Sequence, residues 1–203
     1  HPDRLDTMPD TPAYSAADEL ASAITHGLGV VLSVAAGAVL ITLAVLTGDP
    51  WTITGASVFV GTLVLVYTSS TLYHAIPYES AKAKLKTLDH CAIFGLIAGT
   101  YTPFLIGGLR GPWGWWLFGI VWSLVIIGML QEIKPRSEAR VLSIVIYAIM
   151  GWIVLVAVKP LLAALGTTGF GWLVAGGVFY TVGIIFFAYD QRFRHWHGIW
   201  HLF

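Results

Sequence analysis

His197 and His201 stand four residues apart near the end of the chain. On a helix that spacing puts both imidazoles on one face, one turn apart, where they can grip a single metal ion. Such a pair is also common on helices that bind nothing, so it needs company. Ser70 and His74 repeat the four-residue spacing, and Asp89 and His90 open a later segment. Three neutral imidazoles, His74, His197 and His201, suit a zinc ion with one coordination position left open. Zinc held in that way brings the pKa of its water toward about 7 and makes a hydrolytic nucleophile available. Asp89 could then serve as general base or orient a ligand histidine. Ser70 could hydrogen-bond the water, Asp89 or a developing oxyanion.

The elements that must position these groups are membrane helices. The chain has 203 residues, of which 57% are hydrophobic and only 11% charged, and its mean hydropathy is +0.77. Soluble domains carry roughly 25% charged residues, so this chain has too little charge to cover a water-facing surface. Eleven basic residues balance eleven acidic ones, which gives no footing for nucleic acid. The one cysteine, Cys91, rules out an intramolecular disulfide framework.

A polar tail covers residues 1–17 and lacks the basic stretch and small-residue cleavage site of a secretory signal. Residues 18–203 then read as one helical membrane domain. Apolar runs cover about Ser22–Leu46, Trp51–Ile76, Leu88–Ile106, Trp113–Ile133, Ala139–Val158 and Gly171–Tyr189. Each is near the roughly 20 residues that cross a bilayer. A seventh run starts near Trp196 and stops at Phe203, too short to span, so the chain is expected to continue by about 15 residues. Short polar links, among them 77–87, 134–138 and 159–169, make successive helices antiparallel neighbours. Pro103 should kink the third run. Gly95 with Gly99, and Ser33 with Gly37, offer small faces for close helix packing.

Setting aside Arg110 and Lys159, nine of the eleven basic residues fall on the side of the N-terminus. The positive-inside rule therefore puts the N-terminus in the cytoplasm. On that same side the second run ends with Ser70 and His74, the third begins with Asp89, and the seventh begins with His197 and His201. The first run starts there with Glu19 and His26, seven residues apart and so on one face. Ionisable groups at membrane depth are expensive and mark functional sites by default, and here they gather in one layer. His26 reads equally as a supporting group or a core histidine. His90 points about 100° away from Asp89 round its helix and reads as interfacial. His195 reads as facing headgroups, Cys91 as structural, and Glu132 and Glu138 as solvated.

The blocks Ile24-Thr25-His26-Gly27, Ser70-Thr71-Leu72-Tyr73-His74, Leu88-Asp89-His90, Gly99-Thr100-Tyr101-Thr102-Pro103-Phe104 and His197-Gly198-Ile199-Trp200-His201 resemble the haemolysin III family. These are bacterial relatives of the adiponectin and progestin receptors, in a larger group that includes alkaline ceramidases. The resemblance runs over the chain from residue 18. It implies seven transmembrane helices with the N-terminus inside and a zinc site near the cytoplasmic face. The family's ligands fall on His74, His197 and His201, with Asp89 and Ser70 as polar partners of the zinc water. The family often has Asn where this chain has Ser22.

The expected function is that of a zinc-dependent hydrolase in the cell membrane, cleaving a lipid amide or ester as a ceramidase does, with membrane lipid as substrate or ligand. The alternatives are a cytolysin that permeabilises membranes and a receptor-like sensor, each with structural zinc. An open fourth coordination position favours the hydrolase. A polar stripe along a whole helix would favour a pore, and the charges here stop at the helix ends.

Overall fold

The computed structural model describes residues 15–133, 139–193 and 195–203. The polar tail through residue 14, the basic link 134–138 with Glu138, and Arg194 lie outside them. The described residues are helical, with no strand among them. They form α1 (Ala16–Leu46), α2 (Pro50–Ala75), α3 (Glu79–Thr102), α4 (Pro112–Ile133), α5 (Ala139–Trp152), α6 (Val158–Tyr189) and a short α7 (Trp196–Trp200). Among the described residues, five stretches are long and apolar enough to cross a membrane: α1, α2, α3 with its continuation to Leu109, α4, and the run Arg140–Tyr189.

The starts of α1 and α2 follow from their caps. Ser15 accepts the Asp18 amide at 3.2 Å while Asp18 reaches back to the Ser15 amide at 3.3 Å, a reciprocal pairing that satisfies two orphan donors. This starts α1 inside what reads as polar tail. Asp49 accepts the Thr52 amide at 3.0 Å, with Pro50 at the first helical position. The helix stops at Ala75 because Ile76 precedes Pro77 and is pushed into extended backbone, φ −93° and ψ 118°.

Two links differ from expectation, and the third run changes its winding. Most of 77–87 is the first turns of α3, where Ala, Lys and Leu favour helix and Lys82 reaches Glu19 on α1. At Pro103, where a kink is expected, the winding widens to a π-helix over Pro103–Leu109, because proline cannot donate the ordinary helical hydrogen bond. The stretch 159–169 is helical as well. A tight 3-10 turn, Ile153–Ala157, joins α5 to α6, and α6 breaks only at Gly166, φ 66° and ψ 177°. Staying wound keeps backbone groups paired where water is scarce.

The core lies among α3 to α6, where Phe94, Leu105, Val121, Tyr147, Met150 and Leu161 are almost fully buried. Side-chain hydroxyls cross-link it: Tyr101 donates to the Gly151 carbonyl at 2.7 Å, and Tyr180 to the Tyr147 carbonyl at 2.8 Å. The small faces pack closely, as expected. A Cβ on Gly99 would run into the Thr62 side chain, and one on Gly37 into Val60. Outward faces carry Leu32, Val39, Ile126, Leu130 and Phe179 exposed, an apolar surface suited to lipid.

Candidate metal centre

The C-terminal end of α2, and α7 with its C-cap residue His201, build the centre. His74, one turn after Ser70, is buried at 5% exposure. α7 follows a turn in which His195 takes left-handed backbone, φ 66°. Aromatic contacts then hold it against α6: Trp196 lies 4.9 Å from Phe186, and Trp200 lies 5.3 Å from Phe187, ring centre to ring centre. So held, His197 and His201 point at His74. One ligand nitrogen from each of the three imidazoles falls within 4.8 Å of the others, and His197 Nε2 sits 3.4 Å from His74 Nε2.

Two carboxylates set the ring orientations. Glu19 Oε2 is 2.7 Å from His74 Nδ1, and its other oxygen is 2.8 Å from Lys82 Nζ. Asp190 Oδ2 is 2.7 Å from His197 Nδ1, and its other oxygen takes the Arg140 guanidinium. A carboxylate on Nδ1 fixes the tautomer, so that Nδ1 carries the proton and Nε2 presents its lone pair inward. Burial pushes the Asp190 carboxyl up. The hydrogen bond from His197 and the charge of Arg140 outweigh that and hold it below the ordinary aspartate value.

This donor set fits a zinc ion. His74 Nε2 and His197 Nε2 lie 3.4 Å apart, and among the described residues His201 Nδ1 is buried with no hydrogen-bond partner. A buried orphan of this kind costs about 1–3 kcal/mol, and coordination is one way a buried imidazole settles it. Among the described residues no fourth His, Cys, Asp or Glu joins the group.

Asp89, on α3, is buried, and Ser70 stands beside it without a well-formed hydrogen bond between them. Both line a cavity of about 560 Å³ that also touches His26, His197 and His201 and runs between α2, α3 and α6 past Ile97, Phe104 and Leu173. That volume lies in the usual range for small-molecule sites, and the wall is mostly apolar with polar groups at one end. His26 joins the centre by stacking on His201, centroids 3.8 Å apart and planes 20° apart.

Of the other groups, His195 is exposed as expected and pairs with Asp18 at 2.7 Å. Cys91 is buried and free. His90 is half-buried, with Nδ1 3.4 Å from Glu132. Glu132 is not solvated: its side chain is only 10% exposed, because Ser143 and Gln131 supply donors between α4 and α5. Sequence reasoning missed Asp190, which reads as part of a polar link. Its seven-residue lead on His197 was the available signal, but the turn between them, not helical periodicity, brings the two together.

A family model described as haemolysin-III related matches residues 14–203. Among similar proteins, the Hemolysin-3 homolog of Bacillus subtilis (strain 168) is 44% identical over 190 residues, 94% of this chain and 89% of that protein. Hemolysin-3 of Bacillus cereus is 44% identical over 187 residues, 92% of this chain and 84% of that one. The Homo sapiens monocyte to macrophage differentiation factor is 26% identical over 193 residues, 92% and 78% of the two chains. No solved structure matches the chain. With the match running from just ahead of the α1 cap through α7, the chain belongs to the haemolysin-III-related family of membrane proteins.

Proposed function

We propose that the protein crosses the cell membrane seven times with its N-terminus in the cytoplasm, and that it is a zinc-dependent hydrolase of lipid amide or ester bonds. The observation that carries this reading is the pairing of Glu19 and Asp190 with the Nδ1 atoms of His74 and His197. It turns two lone pairs toward His201 at the polar end of a cavity that would take an acyl chain. Zinc at this centre would supply Lewis acidity and a water acidic enough to react near neutral pH. Asp89 would take the proton from the attacking water, and Ser70 would hydrogen-bond the carbonyl oxygen as charge develops there. The apolar wall along Ile97, Phe104 and Leu173 would bind the chain and keep bulk water out.

The span count rests on length. The 50 residues from Arg140 to Tyr189 would rise about 75 Å as one straight helix, over twice the roughly 30 Å of hydrocarbon. With the 3-10 turn and the break at Gly166 they make two crossings, and α7 begins the seventh. Loop charges set the orientation.

The deciding experiment is Asp89→Asn with zinc content and turnover of a fluorogenic lipid amide measured on one preparation. The variant should keep its zinc and lose about 100- to 10,000-fold in rate. Zinc retained together with full turnover would remove Asp89 from the mechanism. The name of the Bacillus cereus relative favours membrane lysis as a second reading. Dye release from vesicles by the purified protein, undiminished in Asp89→Asn, would support that reading.

A further inference from the structure

The three imidazoles of the centre are not held alike. His74 and His197 each have a carboxylate on Nδ1, from Glu19 and Asp190. His201 lacks that arrangement, since its Nδ1 is buried with no hydrogen-bond partner among the described residues. No hydrogen bond at that atom fixes the ring, although a ligand binds more tightly when its orientation is set before the ion arrives. What covers the ring is His26, from α1. The two imidazoles lie face to face, centroids 3.8 Å apart and planes 20° apart.

His26 is itself held. Tyr67, on α2, meets it edge-on at 5.1 Å and 87°. Tyr67 in turn lies against Gly29, about one turn along α1 from His26, so closely that a Cβ there would come within 2.6 Å of the tyrosine ring. The bare backbone at Gly29 thus lets Tyr67 seat between α1 and α2 and fix His26. The stack also keeps His26 from sharing an ion with His201. Imidazole lone pairs lie in the ring plane, and near-parallel planes stacked face to face do not meet within the roughly 2 Å of a zinc–nitrogen bond. A ring covering one face of His201 instead blocks the side-chain rotations that would swing it out of the cluster. We infer that His26 is a positioning residue, holding the third imidazole by stacking where Glu19 and Asp190 hold the other two by hydrogen bonds. This rests on the zinc-binding part of the proposed function, and it adds that the three ligands are preset by two different means.

The test is zinc affinity by competition against a chelator, on full-length protein in lipid nanodiscs, with cobalt bound in place of zinc as a spectroscopic probe. His26→Phe keeps a flat ring and removes the nitrogens. His26→Leu removes the flat face at similar bulk. Immobilising one side chain on binding weakens affinity by roughly 3- to 12-fold, so His26→Leu should bind zinc more weakly by about that factor. His26→Phe should stay within twofold of wild type. The visible cobalt band should keep its wild-type position in both, because the ligands are unchanged. His26→Gln, flexible and without a face to stack, should repeat the loss and gives the answer if His26→Leu does not fold. Wild-type zinc affinity in the variants without a ring would overturn the inference. So would an equal loss in His26→Phe and His26→Leu, which would assign the effect to a nitrogen of His26. A cobalt band that shifts when His26 is replaced would make it a ligand and overturn the inference as well. A wild type that binds no zinc refutes the metal centre and the positioning role together. Ring-dependent affinity without turnover on any lipid refutes the hydrolase reading alone. Turnover with affinity indifferent to the ring refutes the positioning role alone.

Discussion

Asp190→Asn isolates what the carboxylate on His197 contributes. Asp190 has a fully buried side chain that accepts from His197 Nδ1 at 2.7 Å and takes the Arg140 guanidinium on its other oxygen. Asparagine keeps the size but loses the charge, and one of its two positions becomes an NH2 group. If that group faces His197, a donor meets a donor. If it faces Arg140, a cation is left without its counter-charge. Either way the preference for the proton on Nδ1 weakens, and Nε2 is no longer reliably the free lone pair. Removing a partner of this kind typically costs 10- to 100-fold in metal affinity, or about 1.4–2.7 kcal/mol. Glu19→Gln should fall at the lower end, because Glu19 is 19% exposed and divides its charge with Lys82. The assay is competition for zinc against a chelator of known affinity, with helix content followed by circular dichroism on the same samples. Zinc affinity within twofold of wild type in folded Asp190→Asn would refute the argument that the carboxylate sets the tautomer.

Other outcomes follow from the same geometry. His197→Ala or His201→Ala should each remove most bound zinc, while His195→Ala and His90→Ala should not, as read by elemental analysis; equal losses in all four would break the ligand assignment. Gly99→Val should lower the thermal midpoint, at a cost of about 1–3 kcal/mol for overpacking, because its new atoms would meet Thr62; an unchanged midpoint would mean α2 and α3 can separate freely. Lys84→Cys should resist labelling by an impermeant thiol reagent applied to intact cells, and efficient labelling from outside would reverse the proposed orientation.

Composition and run length were enough to read helices and a membrane, since hydrocarbon leaves the backbone few alternatives to helix. The spacing of Ser70 with His74 and of His197 with His201 picked out the residues of the centre, because four residues bring side chains to one helix face wherever the helix lies. Glu19 was legible as an ionisable group at the right end of α1, though not as the partner of His74. That pairing depends on how α1 lies along α2, and a contact between residues 55 positions apart leaves no periodic mark. Asp190 was invisible for a related reason: it sits in a turn, and the left-handed backbone at His195 and the packing of Trp196 and Trp200 on α6 carry His197 back onto it. Glu132 looked solvated beside a basic link, until the approach of α5 gave it Ser143. The helical winding of 159–169 was likewise set by surroundings and not by its glycines and threonines. Local spacing decides which groups share a face. The packing of helices distant in sequence decides which groups those faces meet, and so which nitrogens are left free to bind.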